Sequence, residues 1–209
     1  MRCPHCQAEL ETPLACAGCG DALAVPAEAS PFEILALPLG YSIDRAELKK
    51  RLSRFGRLVH PDFFATRSPE ALERAEFASA RLNAAHATLA DDAARAEWLV
   101  RYLGGPDAES ERELPRAFLI EVLEWNEELE QLAAGANAPG AAARLDALAS
   151  NLAARRAENL AAIQRLLVPL PARGSPALSR VRQELNALRY LDRALDELEA
   201  LRSGNPARR

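Results

Sequence analysis

No apolar run in this 209-residue chain approaches the ~20 residues that a helix needs to cross a bilayer. No membrane partner is therefore expected. β-Branched residues are few beside Ala, Leu, Arg and Glu, which argues against sheet and for helix. Positive charge is not in excess: 26 Lys and Arg face 30 Asp and Glu, for a formal net charge of -4. That balance argues against a general nucleic-acid binder, although it leaves room for a local basic face. The opening residues MRCPHC hold neither an apolar signal segment nor an Arg- and Ser-rich presequence, so a cytoplasmic protein is expected. What the chain does hold is 49% hydrophobic residues, enough for a folded protein of one or two domains.

Cysteine is absent after residue 19, and the four present form two pairs, Cys3-x-x-Cys6 and Cys16-x-x-Cys19. In a reducing compartment paired C-x-x-C motifs read as a thiolate metal site rather than as disulfides. Four thiolates suit the tetrahedral arrangement of zinc, with iron in a rubredoxin-like site as the competitor. A thioredoxin-type redox pair would need a βαβ setting, and no strand pattern surrounds these cysteines. His5 reads as a spacer inside the first knuckle, and Gly18 and Gly20 give the second one backbone freedom. Residues 21–30, DALAVPAEAS, read as a linker, and no internal repeat is evident.

Beyond the linker the signals are helical. Ser30-Pro31 opens a short helix, and Asp44 with Glu47 has capping-box spacing before a longer one. Leu48, Leu52, Phe55 and Val59 recur at helical spacing there, with Lys50, Arg54 and Arg57 opposite. Proline then ends the helix in RLVHPDFF, where His60, Pro61 and Asp62 precede two exposed-looking phenylalanines. Ser68-Pro69 opens the next helix, whose small stripe of Ala75, Ala78, Leu82, Ala85 and Leu89 suits close packing against its predecessor. A further helix restarts at Asp91-Asp92 and stops at Gly104-Gly105-Pro106.

A basic-faced helix, an HPD loop and a second helix together resemble the J-domain family, from Pro31 through the D-x-x-R turn of Asp92 to Arg95. The resemblance implies that His60, Pro61 and Asp62, with Lys50, Arg54 and Arg57, dock on a DnaK-type chaperone and stimulate its ATPase. Basic side chains on one face would steer toward an acidic partner. J-domains commonly carry a lysine directly after HPD; here Phe63 stands in that place.

From Leu114 three helical stretches follow, broken near GANAPG and PLPARGSP, and SGNPARR reads as a frayed tail. In the first, Phe118, Val122, Trp125, Leu129 and Leu132 share one side. Leu119, Ile120 and Leu123 point elsewhere, near Glu124 and Glu127. The stretches FLIEVLEWNEELEQL and LNALRYLDRAL, with the J-domain and the tetracysteine segment, resemble the HscB family of co-chaperones for iron–sulfur cluster assembly. That likeness implies an IscU-type scaffold bound on Leu119, Ile120, Leu123, Glu124, Glu127 and Tyr190, and an HscA-type chaperone as ATPase. It implies no catalysis by this chain. The expected architecture is all-α: a zinc-knuckle-like module and linker over 1–26, a J-domain over 27–105, a linker over 106–113 and a three-helix bundle over 114–209. The rivals are a general J-domain protein delivering unfolded clients and a rubredoxin-like electron carrier.

Overall fold

Proline and small capping side chains decide where the helices begin. Ser30 accepts the Glu33 N–H while the Glu33 carboxylate accepts the Ser30 N–H, a complete capping box around Pro31. Asp44 likewise accepts from the N–H groups of Ala46 and Glu47, but the Glu47 carboxylate turns to Arg51 instead. The box expected at Asp44 is thus half made. Ser68 caps the helix opened by Pro69.

The computed structural model describes residues 1–114, 116–135 and 139–203. Among them lie α1 (Pro31–Ile34), α2 (Arg45–Leu58), α3 (Pro69–Ala90), α4 (Asp92–Tyr102), α5 (Arg116–Ala134), α6 (Ala141–Leu167) and α7 (Ala177–Arg202), and no strand. A 3₁₀ turn over Pro61–Phe63 joins α2 to α3. The tail expected beyond Ser203 lies outside the described residues, as does the middle of the GANAPG break. The chain divides into two compact units, Met1–Arg95 and Ala96–Arg209.

In the first unit α2 and α3 form a helical hairpin. Leu48, Phe55 and Val59 are buried on one side, and Ala71, Ala75, Ala78, Leu82, Ala85 and Leu89 on the other. A side chain at Gly56 would meet Leu82 Cδ2 at 3.9 Å, an ordinary contact. Packing therefore does not demand glycine there. Arg95, only 5% exposed, donates to the carbonyl of Tyr41 at 2.7 Å, to the carbonyl of Leu89 and to Asp92.

Residues 21–30 are not a linker. Ala22, Leu23 and Val25 are buried, and Ala22 shares a cluster with Phe64, Ala71 and Ala75. Arg74 donates to the Ala22 carbonyl at 3.3 Å and Arg81 to that of Ala29 at 2.9 Å. Further back, Leu14 is fully buried and the Thr12 hydroxyl donates to the Ile34 carbonyl at 2.7 Å. The cysteine segment and the hairpin share one unit because these contacts join them.

The second unit centres on Phe118, Leu129 and Leu132 of α5, Leu148 and Leu152 of α6, and Ala187, Leu191, Ala194 and Leu198 of α7. Val122 and Trp125 pack against this core, as the helical spacing predicts. Gly105 fits where no other residue can, since a Cβ would fall 2.7 Å from Val100 Cγ1 and 2.8 Å from Leu178 Cβ. Residues 106–113 are also held rather than free. Asn186 donates to the Glu111 carbonyl at 2.9 Å, and Arg182 to that of Pro106 at 3.2 Å.

Candidate metal centre and docking surfaces

Backbone hydrogen bonds build the two cysteine knuckles on the same plan. Cys3 N–H donates to Ala8 and accepts at its carbonyl from Gln7; Cys16 N–H donates to Asp21 and accepts from Gly20. Gln7 and Gly20 take the matching left-handed positions, with φ of 62° and 72°. Isolated bridges Arg2–Glu9 and Ala15–Ala22 close the two turns. A two-fold backbone repeat is thus present that residue identities hide, because only the cysteines recur. At Gly18 the requirement is space, since a Cβ would come 3.2 Å from Ala8 Cβ.

This plan brings all four sulfurs together. Cys3 and Cys19 Sγ lie 3.8 Å apart, Cys6 and Cys16 Sγ 3.5 Å, and all four within 4.8 Å of one another. Sulfurs about 2.3 Å from a tetrahedral ion are separated by about 3.8 Å, so the set fits a Cys₄ site. The Cys19 N–H, opposed by burial and joined by the Gly18 N–H, lowers the Cys16 thiol to about 7, whereas the thiols of Cys6 and Cys19 are raised, the Ala8 and Asp21 N–H groups being outweighed there by burial and the neighbouring sulfurs. Thiolate, the form that binds metal, is therefore favoured at Cys16. His5 is exposed and is not in the cluster.

Between α2 and α3, His60 caps the 3₁₀ turn, its Nδ1 accepting the Asp62 N–H at 3.3 Å. With Nδ1 an acceptor, the neutral ring carries its proton on Nε2. The His60, Asp62 and Phe63 side chains are exposed, and the His60 and Phe63 rings meet edge to face at 5.9 Å. Phe64 differs from the expectation: it is 2% exposed, under Arg67 and against Ala22. Only one phenylalanine of the pair is therefore free to meet a partner.

Lys50, Arg54 and Arg57 are exposed along α2, but their charges are not equally free. Arg54 forms a forked pair with Glu11 of the cysteine segment, one arm at 3.0 Å. Lys50 lies 3.8 Å from Glu47, and Arg57 donates to the Ser53 carbonyl at 3.2 Å. Sequence reasoning missed the Glu11 contact, which spans 43 residues and leaves no local signal.

In the second unit Leu119 is 46%, Ile120 63% and Leu123 65% exposed, while Phe118 on the same helix is 1% exposed. Glu124 and Glu127 are exposed nearby along α5. Tyr190, 45% exposed on α7, places its ring 6.4 Å from that of Phe118. A helix whose buried face is already used, yet which exposes three large apolar side chains, has the character of an interaction surface.

Residues 114–199 match the family model of the HSCB C-terminal oligomerisation domain. A co-chaperone protein HscB homolog of Burkholderia multivorans is 32% identical over 173 residues, covering 82% of this chain and 93% of its own length. The chain belongs to the HscB family. The human iron–sulfur cluster co-chaperone protein HscB is 35% identical over 101 residues, which are 48% of this chain and 43% of that protein. The crystal structure of human HscB shares the fold with a TM-score of 0.76 at 24% identity, covering 95% of this chain and 97% of its own. Chaperone HscB from Vibrio cholerae gives a TM-score of 0.70 at 25% identity, with coverage of 85% and 99%. The HscB assignment accounts for the J-domain-type hairpin and the three-helix bundle. No described helix is long and apolar enough to cross a membrane.

Proposed function

We propose that this HscB-family chain is a cytoplasmic co-chaperone that brings an IscU-type iron–sulfur cluster scaffold to an HscA-type, DnaK-like chaperone. The scaffold docks on Leu119, Ile120, Leu123, Glu124, Glu127 and Tyr190. The chaperone docks on His60, Pro61, Asp62 and the basic face of Lys50, Arg54 and Arg57. Its ATPase is stimulated there, and the chain itself catalyses nothing. Cys3, Cys6, Cys16 and Cys19 hold a structural zinc, whose chemistry is to cross-link the two knuckles through four thiolates. The observation that carries the reading is the exposure of Leu119, Ile120 and Leu123 beside a fully used core.

That exposure defines the test. Truncating Leu119 and Leu123 to Ala removes apolar anchors worth about 1–2 kcal/mol each in an interface. Affinity for the purified scaffold falls at least about tenfold, while the melting temperature barely moves because no core cavity forms. A large drop in melting temperature with unchanged scaffold affinity would refute the docking face.

The loop has its own test. His60→Gln keeps the helix content, since the side chain is exposed and belongs to no core cluster among the described residues. Stimulation of the chaperone in single-turnover ATP hydrolysis should be abolished, because a loop-tip side chain contributes little to the core and much to a docking surface. Stimulation equal to that of the unaltered protein would end the HPD assignment.

A further inference from the structure

Along α7, Asn186, Arg189, Tyr190 and Arg193 fall at the spacing that puts side chains on one helix face. With Ala108 and Arg112 they line a surface cavity of about 250 Å³. Three of the six described residues that line it are arginines, and no carboxylate is among those six. One wall is fixed, because Asn186, 7% exposed, holds the 107–113 loop through the Glu111 carbonyl. Asp107 turns its carboxylate back onto the N–H groups of Glu109 and Ser110 and is not among the lining residues. Arg189 pairs with Glu97 at 3.2 Å, but that carboxylate also serves the buried Arg182. Arg112 and Arg193 have no acidic partner among the described residues. The cavity is a site of unneutralised positive charge with forked donors.

Its position identifies the ligand. Tyr190 lines this cavity, is itself 45% exposed, and meets the ring of Phe118, the residue that precedes Leu119 on α5. Exposed acids, Glu124 and Glu127, thus accompany the patch along α5, and arginines accompany Tyr190 along α7. We propose that the cavity is a carboxylate-binding subsite of the same interface, taking an acidic segment of the protein partner seated on Leu119, Ile120 and Leu123. This rests on the scaffold reading above. Arginine suits the role because its planar fork meets a carboxylate through two parallel hydrogen bonds. Opposite charges along the two helices also allow only one orientation of the partner, since reversal would bring like charges together.

The test uses the full chain and a purified IscU-type scaffold, with affinity measured by calorimetry over a series of salt concentrations. Exposed charges at a rim act mainly through salt-dependent association. Changing Arg112 and Arg193 together to Ala should weaken binding about three- to tenfold at low salt and flatten the dependence on salt. Replacing both by Lys should restore the salt dependence but only part of the affinity, because the charge returns without the fork. The variant Leu119→Ala with Leu123→Ala should lose affinity and keep the wild-type salt dependence. An unchanged salt dependence in the arginine-to-alanine variant overturns the subsite alone. Absence of scaffold binding by the unaltered chain overturns the scaffold reading and the subsite with it.

Discussion

Stripped of its metal by a chelator, the protein is expected to lose the fold of roughly its first twenty residues, while residues 96–209 keep theirs. The core of the cysteine segment consists of Cys3, Cys16 and Leu23 with Ala8 and Leu10 beside them, far too little to hold a fold alone. Structural zinc in such segments binds with an apparent ~10–16 kcal/mol at neutral pH, and that binding is the folding energy. The effect should reach the hairpin, because Ala22 covers Phe64, Ala71 and Ala75, and Thr12 bonds to Ile34. Each kcal/mol lost lowers the melting temperature of a domain this size by about 4–8 °C. Calorimetry with and without chelator should show the hairpin transition moving down and that of the bundle unmoved. Elemental analysis should find one zinc per chain; none, or half an equivalent, would overturn the intrachain site. A hairpin transition indifferent to chelation would mean that the docking of residues 12–29 contributes nothing to stability.

Glu97→Ala is expected to destabilise the second unit by about 3 kcal/mol. Arg182 is 1% exposed, and among the described residues its guanidinium pairs with the Glu97 carboxylate alone, with the Pro106 carbonyl as a further acceptor. Removing Glu97 strands a charge in the interior, for which the usual penalty is about 3–5 kcal/mol. The lower end applies because the Glu97 side chain is itself 36% exposed. Arg182→Met should be much milder, since the buried charge leaves with the substitution and Glu97 keeps Arg189. Denaturant titration of the two variants should therefore give unequal losses, and equal losses would refute the stranded-charge account. Acidity offers a second check. Burial pushes the Glu97 carboxyl up, but Arg182, then Arg189 and Arg101, outweigh it and hold it below the ordinary carboxylate value. The pair thus contributes fully above about pH 4.5 and fades as pH falls through the depressed value. Glu97→Ala should remove that part of the acid sensitivity.

Much of the molecule was legible because helical periodicity is a local property. The core face of α5 follows from one wheel, which sets Leu119, Ile120 and Leu123 apart from it but leaves a second helix free to cover them, and four cysteines in two matched pairs announce a shared site. What escaped was decided by partners distant in sequence. Ala22 and Val25 look like spacer residues until α3 and its neighbours supply a surface to bury them. Arg182 is one of several arginines in α7, and no local signal separates it from the exposed ones, because its burial depends on Glu97, 85 residues away. The fate of Phe64 turned on the same cysteine segment, and so did the pairing of Arg54 with Glu11. The arginine cavity was hidden because no periodicity separates arginines that converge from arginines that merely line a helix.

The buried pair also acts as a rotational pin. A helix packed by aliphatic side chains alone can turn a few degrees about its axis and find other contacts nearly as good. The Arg182 fork on Glu97 admits one angle only, because two parallel hydrogen bonds must be met at once. Arg189 follows about two helical turns later and so returns to the same azimuth, which is why it reaches the same carboxylate. Tyr190 comes next, ~100° further round, and Arg193 nearly a turn beyond it. The aim of both side chains is therefore set by a clamp two to three turns away. An apolar replacement of the pair could recover the lost stability and still leave α7 without a fixed azimuth, so that the bundle melts normally but presents its docking stripe blurred.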